Sequence, residues 1–304
     1  NISKRQKKYT LTGIKPPIFL MWEGFWPDMN SKDCQILDFL QESLPDEEFL
    51  VTNNSGKADI LLSSCLGKNN TNSRKYNHCF KILFLGENLR PYFSNYDLSI
   101  SSDINIYRGR NIYLPLWLFE IDLFKRGQDY PDRKIYDISN FCKSRIIDFS
   151  EKEQGIVYIG NNSEPFRESI IQEIQNHKIK IDRFGSQSKP IKDKISLISK
   201  YKGTLAMENS IYPGYITEKG MHAFLGGSKT IYWGSREQSP FSNHPLFFNI
   251  NPDQPYNLIL DKVLTITKEN NKVFVPPLLE EDKVLNLKSE IIGKIKKSLS
   301  QFIL

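Results

Sequence analysis

The sequence predicts an α/β protein made of two Rossmann-like domains, and three observations lead to this prediction. Apolar runs of strand length alternate with segments of helical periodicity, which is typical of parallel sheets with crossover helices. The alternation breaks down between about Arg126 and Gly155, where charged residues accumulate. It then restarts. We therefore place a first domain at residues 1–154, a second at 155–281 and a C-terminal amphipathic helix at 282–304.

Short apolar runs predict one helix and five strands in the first domain. A helix is predicted from Ser31 to Leu44, because Ser31 is a suitable N-cap and the apolar residues around Phe39 fall on one face. The predicted strands are Pro17–Trp22, long enough to be buried, Ala58–Ser63 and Phe80–Leu85, and two shorter ones, Tyr96–Ile100 and Ile112–Pro115.

The second domain repeats the alternation. Its first strand, Gly155–Gly160, ends in a glycine, and a helix from Pro165 to His177 follows, since proline suits a first helical turn. The remaining predicted strands are Ile179–Phe184, Thr204–Met207 and Lys229–Trp233, and the remaining helices are Ile191–Tyr201 and Tyr215–Leu225.

The C-terminal segment has apolar residues at helical spacing and lysines largely off that stripe. Such a pattern predicts either a helix docked on a domain or a helix lying on an anionic membrane surface. Both interpretations stay open at this point. The stripe consists of Val284, Leu287, Ile291, Ile292, Ile295 and Leu299.

Composition and charge narrow the function classes. With 39% hydrophobic and 25% charged residues in 304, the chain is globular rather than disordered. A net charge of +6 favours anionic partners without choosing among nucleic acid, lipid headgroups and phosphorylated substrates. The four cysteines form no C-x-x-C pair and the four histidines no H-x-x-x-H pair, so no zinc site is predicted.

Several catalytic signatures are missing from the sequence. There is no G-x-x-x-x-G-K-[ST], G-x-G-x-x-G or G-x-S-x-G segment. These absences disfavour a P-loop NTPase, a dinucleotide-dependent oxidoreductase and an α/β-hydrolase. No D-x-D pair follows a predicted strand, so nothing indicates a metal-bound diphosphate.

The segment from Ala206 to Ser235 carries the strongest functional signal. A polar turn, Glu208–Ser210, follows a predicted strand at the edge where α/β sheets bind ligands. A helix then begins near Tyr215, with Glu218 and Lys219 in its first turns. Its N-terminal N–H groups and Lys219 suit a diphosphate, and Glu218 can accept hydrogen bonds from ribose. The alternative is an ordinary exposed Glu218–Lys219 pair beside a core tyrosine.

This segment resembles the signature of the α-1,3/4-fucosyltransferases, glycosyltransferase family 10. The matching stretches are Glu208–Ser210, Gly214–Lys219 and Ile231–Gly234. Two further stretches, Leu85–Pro91 and Asn161–Arg167, resemble the family's G-E-N-x-x-P segment and its S-N segment with an arginine at a helix start.

The resemblance implies a GT-B-like fold, in which two Rossmann-like domains with parallel sheets face each other across a cleft. The first domain would bind the acceptor and the second GDP-L-fucose, with inversion at the anomeric carbon and no required cofactor; a divalent cation would at most stimulate. Glu87 is the implied catalytic base. Arg167 and Lys219 would clamp the diphosphate, and Glu218 the ribose. The other implied donor-pocket residues are Asn209 and Tyr215.

The resemblance also suggests the substrates and the setting. The acceptor would be a β-galactosyl-N-acetylglucosamine unit of lipopolysaccharide or another surface glycan. The lysine-rich composition and free thiols favour a bacterial enzyme in the cytoplasm, or peripheral to the cytoplasmic membrane, over one in the Golgi lumen. Two alternatives stay open: a related transferase using another GDP-sugar, and a basic module binding a membrane surface or nucleic acid. No nucleic-acid partner is expected, since no recognition motif is present.

Overall fold

The computed structural model describes residues 15–66, 76–160, 163–185 and 191–303. The chain divides into two compact units. Unit 1 comprises Asn1–Tyr136 and Asp282–Leu304, and unit 2 comprises Asp137–Glu281.

Unit 1 contains a six-stranded parallel sheet in the order β2-β1-β3-β4-β5-β6. The central strand β3 is buried along its whole length, as is typical of a parallel strand covered on both faces. The strands are β1 (Ile18–Glu23), β2 (Phe49–Val51), β3 (Ile60–Ser64), β4 (Phe80–Leu85), β5 (Leu98–Ser101) and β6 (Asn111–Tyr113).

The five strands predicted for the first domain are confirmed, with ends shifted by a few residues. Strand β2, of three residues, was not predicted, because so short a run gives no periodic signal. The predicted start of the first helix is wrong: α1 runs Gln35–Ser43, and Cys34 rather than Ser31 is its N-cap.

Unit 2 is built around a five-stranded parallel sheet in the order β12-β11-β10-β8-β9, beside an antiparallel pair β7-β13. The strands are β7 (Arg145–Asp148), β8 (Glu153–Ile159), β9 (Ile181–Phe184), β10 (Tyr201–Met207), β11 (Lys229–Trp233), β12 (Phe247–Asn249) and β13 (Lys272–Val275). The helices of this unit are α2 (Ser139–Cys142), α3 (Pro165–Asn176), α4 (Lys194–Ile198), α5 (Glu218–Leu225) and α6 (Tyr256–Lys268).

The core of unit 2 lies where α3 and α6 cover the sheet. Ile170 and Ile174 of α3 pack with Val263 and Ile266 of α6 against the apolar face of β8, β10 and β11. All seven residues of β10 are buried. This central strand therefore has a fixed position, and so does the turn that follows it.

The division between the units falls after Tyr136, whereas the sequence suggests a boundary after residue 154. Residues between these points belong to unit 2 because β7 pairs with β13, residue 145 opposite residue 275. Arg145 also donates to the carbonyl oxygen of Leu225, at the end of α5 (3.2 Å). Pairing between distant segments of this kind leaves no mark in the local composition.

The C-terminal helix α7 (Glu281–Ile303) is docked on unit 1 from residue 282 onward. Its stripe residues Val284, Ile291, Ile295 and Leu299 are all at most 2% exposed. Lys288 binds the Glu42 carboxylate (2.7 Å) and the Leu123 carbonyl oxygen (2.9 Å).

This docking corrects the membrane-surface interpretation of α7, which needs the apolar stripe to be exposed. No described helix is long and apolar enough to span a bilayer.

We expect Ile291→Ala to lower the free energy of unfolding by about 2–4 kcal/mol, because it empties a fully packed site. Leu285→Ala, on the exposed side of the same helix, should change it by less than about 1 kcal/mol. Urea titration of both variants makes the comparison. Equal losses would mean that α7 does not dock through this stripe.

Candidate active site

A buried carboxylate organises the turn that follows β10. Glu208 is 0% exposed. It accepts hydrogen bonds from the Thr217 N–H (2.8 Å), the Thr217 hydroxyl (2.6 Å), the Tyr232 hydroxyl (3.2 Å) and the Lys219 ammonium (3.1 Å). A charge removed from water requires such partners. The turn is therefore tied to the start of α5 and to β11.

These contacts set where α5 begins. The predicted start at Tyr215 is wrong, because the helix starts at Glu218 with Thr217 in extended conformation as its N-cap. The Thr217 hydroxyl donates to Glu208 rather than capping the helix. Gly214, with φ +84°, makes the turn just before. Tertiary bonds thus override the local helical pattern of residues 215–217.

Lys219 and Glu218 are both charged at the N-terminus of α5. The Lys219 ammonium contacts Glu208 and the Thr217 hydroxyl oxygen (3.0 Å), and its side chain is 20% exposed. Burial lowers the pKa of Lys219, but Glu208 and Glu218 outweigh it and hold that pKa above its usual value. Burial raises the pKa of Glu218, yet Lys219, Lys194 and His222 outweigh it and hold that pKa well below its usual value.

Arg167 holds the same turn from the other side. It is 2% exposed at the start of α3, and Glu164 accepts from its backbone N–H as the N-cap (2.9 Å). The guanidinium donates to the carbonyl oxygens of Glu208 (2.9 Å) and Met207 (2.9 Å) and to Oδ1 of Asn209 (2.7 Å). The implied contact of Arg167 with a diphosphate stays a prediction, and the observed bonds give it a structural role.

Asn209 and Tyr215, the other two predicted donor-pocket residues, differ in how deeply they are buried. Asn209 is half-buried and is oriented by Arg167. Tyr215 is 1% exposed, as in the alternative that makes it a core residue. Tyr215 also helps to raise the pKa of Lys219. Residues Asn161 and Asn162, part of the third matching stretch, lie outside the described residues.

A small pocket, partly open to solvent, lies beside the N-terminus of α5. Its walls combine apolar and charged side chains, the mixture expected of a site for a polar ligand with an aromatic or apolar part. The residues that line it include Ile159, Lys194, Ile198, Glu218, Lys219 and His222. Three of the implied nucleotide-binding features, Glu218, Lys219 and the helix N-terminus, thus meet in one place.

In unit 1, Glu87 lies just after β4 at the carboxyl edge of the sheet and is half-buried. A Cβ added to the preceding Gly86 would lie 2.5 Å from the Trp26 ring, so only glycine fits there. Burial raises the pKa of the neighbouring Cys65 thiol, and Glu87 adds to that rise. The thiol is therefore neutral beside the predicted base.

An ion pair between a partly exposed arginine and a buried aspartate, which the sequence did not indicate, anchors the loop that carries Glu87. The Arg90 guanidinium lies 3.4 Å from the carboxylate of Asp103, which is 0% exposed. The Tyr107 hydroxyl (2.6 Å) and the Asn105 N–H (2.9 Å) also donate to Asp103. Burial raises the pKa of Asp103, but these bonds and Arg90 together lower it. No local motif signals a pair so distant in sequence.

Within the described ranges, no group of three or more histidine, cysteine, aspartate or glutamate side chains is arranged to hold a metal ion.

Two family models match this chain. The Alpha-(1,3)-fucosyltransferase FucT N-terminal domain matches residues 20–120, and the Glycosyltransferase family 10 (fucosyltransferase) C-terminal model matches residues 149–252.

The chain is also similar to named proteins. It is 23% identical over 289 residues to the Alpha-(1,3)-fucosyltransferase FucT of Helicobacter pylori, covering 84% of this chain but 58% of that protein. It is 32% identical over 110 residues to a putative fucosyltransferase of Acanthamoeba polyphaga mimivirus, covering 33% of this chain and 18% of that protein. The chain thus spans little more than half, or less, of these relatives.

Solved structures share the fold. A crystal structure of an alpha1,3-fucosyltransferase superposes with a TM-score of 0.62 at 18% identity, covering 92% of this chain and 91% of that one. A crystal structure of alpha1,3-fucosyltransferase with GDP-fucose gives a TM-score of 0.57 at 19% identity, covering 91% of this chain and 90% of that one. The α/β architecture with parallel sheets is therefore that of the GT-B-type fucosyltransferase structures.

We expect Gly220→Ala in α5 to destabilise unit 2 by about 1–3 kcal/mol, since the new Cβ would lie 2.2 Å from the Phe241 ring. Gly293→Ala in α7, where nothing lies within 4 Å, is the matched control. It should stabilise by about 0.5–1 kcal/mol through helix propensity. Thermal unfolding compares them, and a stabilising Gly220→Ala would contradict the packing of α5.

Proposed function

Because the chain belongs to glycosyltransferase family 10, we propose that it transfers L-fucose from GDP-β-L-fucose, with inversion, to a hydroxyl of N-acetylglucosamine in a β-galactosyl-N-acetylglucosamine-type glycan. The observation that carries the proposal is the convergence of Lys219, Glu218 and the N-terminus of α5 at one pocket beside β10. The binding-module alternative is set aside, because family models match both halves of the chain.

The donor would bind in unit 2. Lys219 and the N–H groups of the first turn of α5 supply positive charge for the diphosphate. Glu218, held ionised, can accept hydrogen bonds from the ribose hydroxyls. Fixed positive groups stabilise the charge that develops on GDP as it leaves, and this role needs no metal ion. Arg167 supports the same site by holding the turn after β10.

The reaction would be a single displacement. The acceptor oxygen attacks the anomeric carbon of fucose while the bond from that carbon to the diphosphate breaks, and the electron pair leaves with GDP. Glu87 takes the proton of the acceptor hydroxyl as the general base. Its place at the carboxyl edge of the unit 1 sheet supports this assignment.

The acceptor class and the location are further parts of the proposal. We propose a bacterial surface glycan such as lipopolysaccharide as the acceptor, and the similarity to an enzyme of Helicobacter pylori supports the bacterial part of this proposal. The four cysteines, all within the described residues, are free, which supports a reducing compartment on the cytoplasmic side of the membrane.

The test is GDP release from GDP-fucose, with and without N-acetyllactosamine, with mass spectrometry of the sugar. Acceptor-dependent release and a product one deoxyhexose heavier support the proposal. GDP binding without transfer of fucose, but with transfer from another GDP-sugar, would favour the related-transferase alternative. Complete, metal-reversible loss of activity in EDTA would contradict a metal-free site.

Glu87→Gln should lower kcat by at least about 100-fold and leave GDP affinity within about twofold, because the amide cannot accept the proton. The control is Glu48→Gln, which removes an exposed carboxylate of the same unit. It should leave both quantities unchanged. Near-normal turnover of Glu87→Gln would exclude Glu87 as the base.

Lys219→Met should weaken GDP binding by about 10-fold to 100-fold, the usual value of a charge-assisted bond. Lys200→Met removes an exposed ammonium of the same unit and should leave GDP affinity unchanged. Isothermal titration calorimetry measures both. Equal GDP affinity in wild type and Lys219→Met would remove Lys219 from the diphosphate site.

A further inference from the structure

The role of Glu208 is not explained by the reaction steps above. Its carboxylate is 0% exposed, yet its partners come from three separate elements: the loop before α5, α5 itself and β11. Isolated burial of a carboxylate is costly, and four hydrogen-bond donors surround this one. We therefore ask what a buried carboxylate contributes to the candidate donor site beside it.

Two hydrogen bonds hold the Lys219 ammonium beside Glu208, one direct and one through the Thr217 hydroxyl. The Thr217 hydroxyl donates its hydrogen to Glu208 (2.6 Å) and accepts from the ammonium (3.0 Å). The ammonium also donates to Glu208 directly (3.1 Å). Two of its three hydrogens are thus engaged within the protein, and a third donor remains for a ligand in the proposed site.

The backbone that carries Glu208 is itself fixed. Arg167 donates to the Glu208 carbonyl oxygen (2.9 Å), and the Glu208 N–H donates to the carbonyl oxygen of Trp233 (2.7 Å). Glu208 is therefore a rigid link between the two cations expected at the diphosphate. A cation at a helix N-terminus is disfavoured by the helix dipole, so Lys219 depends on a nearby anion to stay there.

We propose that Glu208 is a positioning residue of the donor site: its carboxylate holds the Lys219 ammonium oriented and charged for the nucleotide diphosphate, without contacting the nucleotide itself. This inference rests on the proposed function, because it takes the pocket beside α5 to be the donor site.

The charged and titratable groups around Lys219 determine how it responds to pH. Two carboxylates act on it, and the pKa of Lys219 is raised chiefly by Glu208 against the lowering by burial. When glutamine replaces Glu208, burial and Glu218 remain, so the pKa of Lys219 falls and its ammonium loses the proton at a lower pH than in wild type. The groups that face this site are Glu208, Glu218, Tyr215, Tyr232, Lys194 and His222.

The test is GDP binding to the full chain between about pH 7.5 and about pH 9, below the usual pKa of a lysine. Wild type, measured across the same interval, corrects for titration of GDP. We expect Glu208→Gln to lose affinity relative to wild type, by at least about tenfold at the upper end, since one charge-assisted bond is lost with the proton.

Tyr232→Phe is the matched control, because it removes one hydrogen bond to the same carboxylate (3.2 Å) but no charge. Its pH profile should parallel that of wild type. The double variant Glu208→Gln/Lys219→Met should bind weakly at every pH, with no slope beyond that of wild type. A slope that persists without Lys219 would overturn the proposal.

Glu208→Asp covers the case in which Glu208→Gln fails to fold. Aspartate keeps the negative charge, but its side chain is one methylene shorter and holds the carboxylate farther from Lys219. The pH profile of GDP affinity should therefore parallel that of wild type, while the affinity itself falls several-fold. Unchanged affinity in Glu208→Asp, or parallel profiles of wild type and Glu208→Gln, would overturn the positioning role alone. Absence of GDP binding by wild type would overturn the proposed function as well.

Discussion

The ion pair between Glu208 and Lys219 is the constraint on which the candidate donor site depends. A buried carboxylate persists only with a full set of donors, and here these donors come from segments that the chain brings together after β10. Because Thr217 supplies two of the four bonds, the loop between residues 208 and 217 closes on itself. The first turn of α5 then has a fixed place beside the pocket, and Glu218 and Lys219 are presented together.

Much of the fold follows from apolar patterning, because a parallel strand buried on both faces must be apolar along its length. Strand β4 spans the predicted residues, Phe80–Leu85, because its last four residues are apolar and buried. Strand β2 and the pair β7-β13 were missed, since they are short and are stabilised by distant partners. The start of α5 was predicted too early because residues 215–217 continue a helical pattern that the bonds to Glu208 interrupt.

The candidate site was predictable to the extent that it is written in contiguous residues. Glu218 and Lys219 follow a strand and a turn, so their position at the sheet edge could be inferred from local sequence. The burial of Arg167 under the turn and the pair of Arg90 with Asp103 could not, because each joins segments far apart in the chain. Local sequence shows which groups are present, while burial and pairing decide which of them a ligand can reach.

The charges at the start of α5 also bear on how such a site distinguishes its ligand. Glu208 and Glu218 offset the charges of Lys219 and Lys194, so a diphosphate bound at the proposed site would not be held by excess positive charge alone. Under the proposal, its attraction would rest instead on direction: an ammonium donor, the N–H groups of the helix and an orienting carboxylate, all held before the ligand arrives. Preorganised donors lose little by reorganisation when charge develops on a leaving group, whereas a mobile lysine would have to be ordered first. The stability stored in the Glu208 network thus serves the charge separation of the proposed transfer.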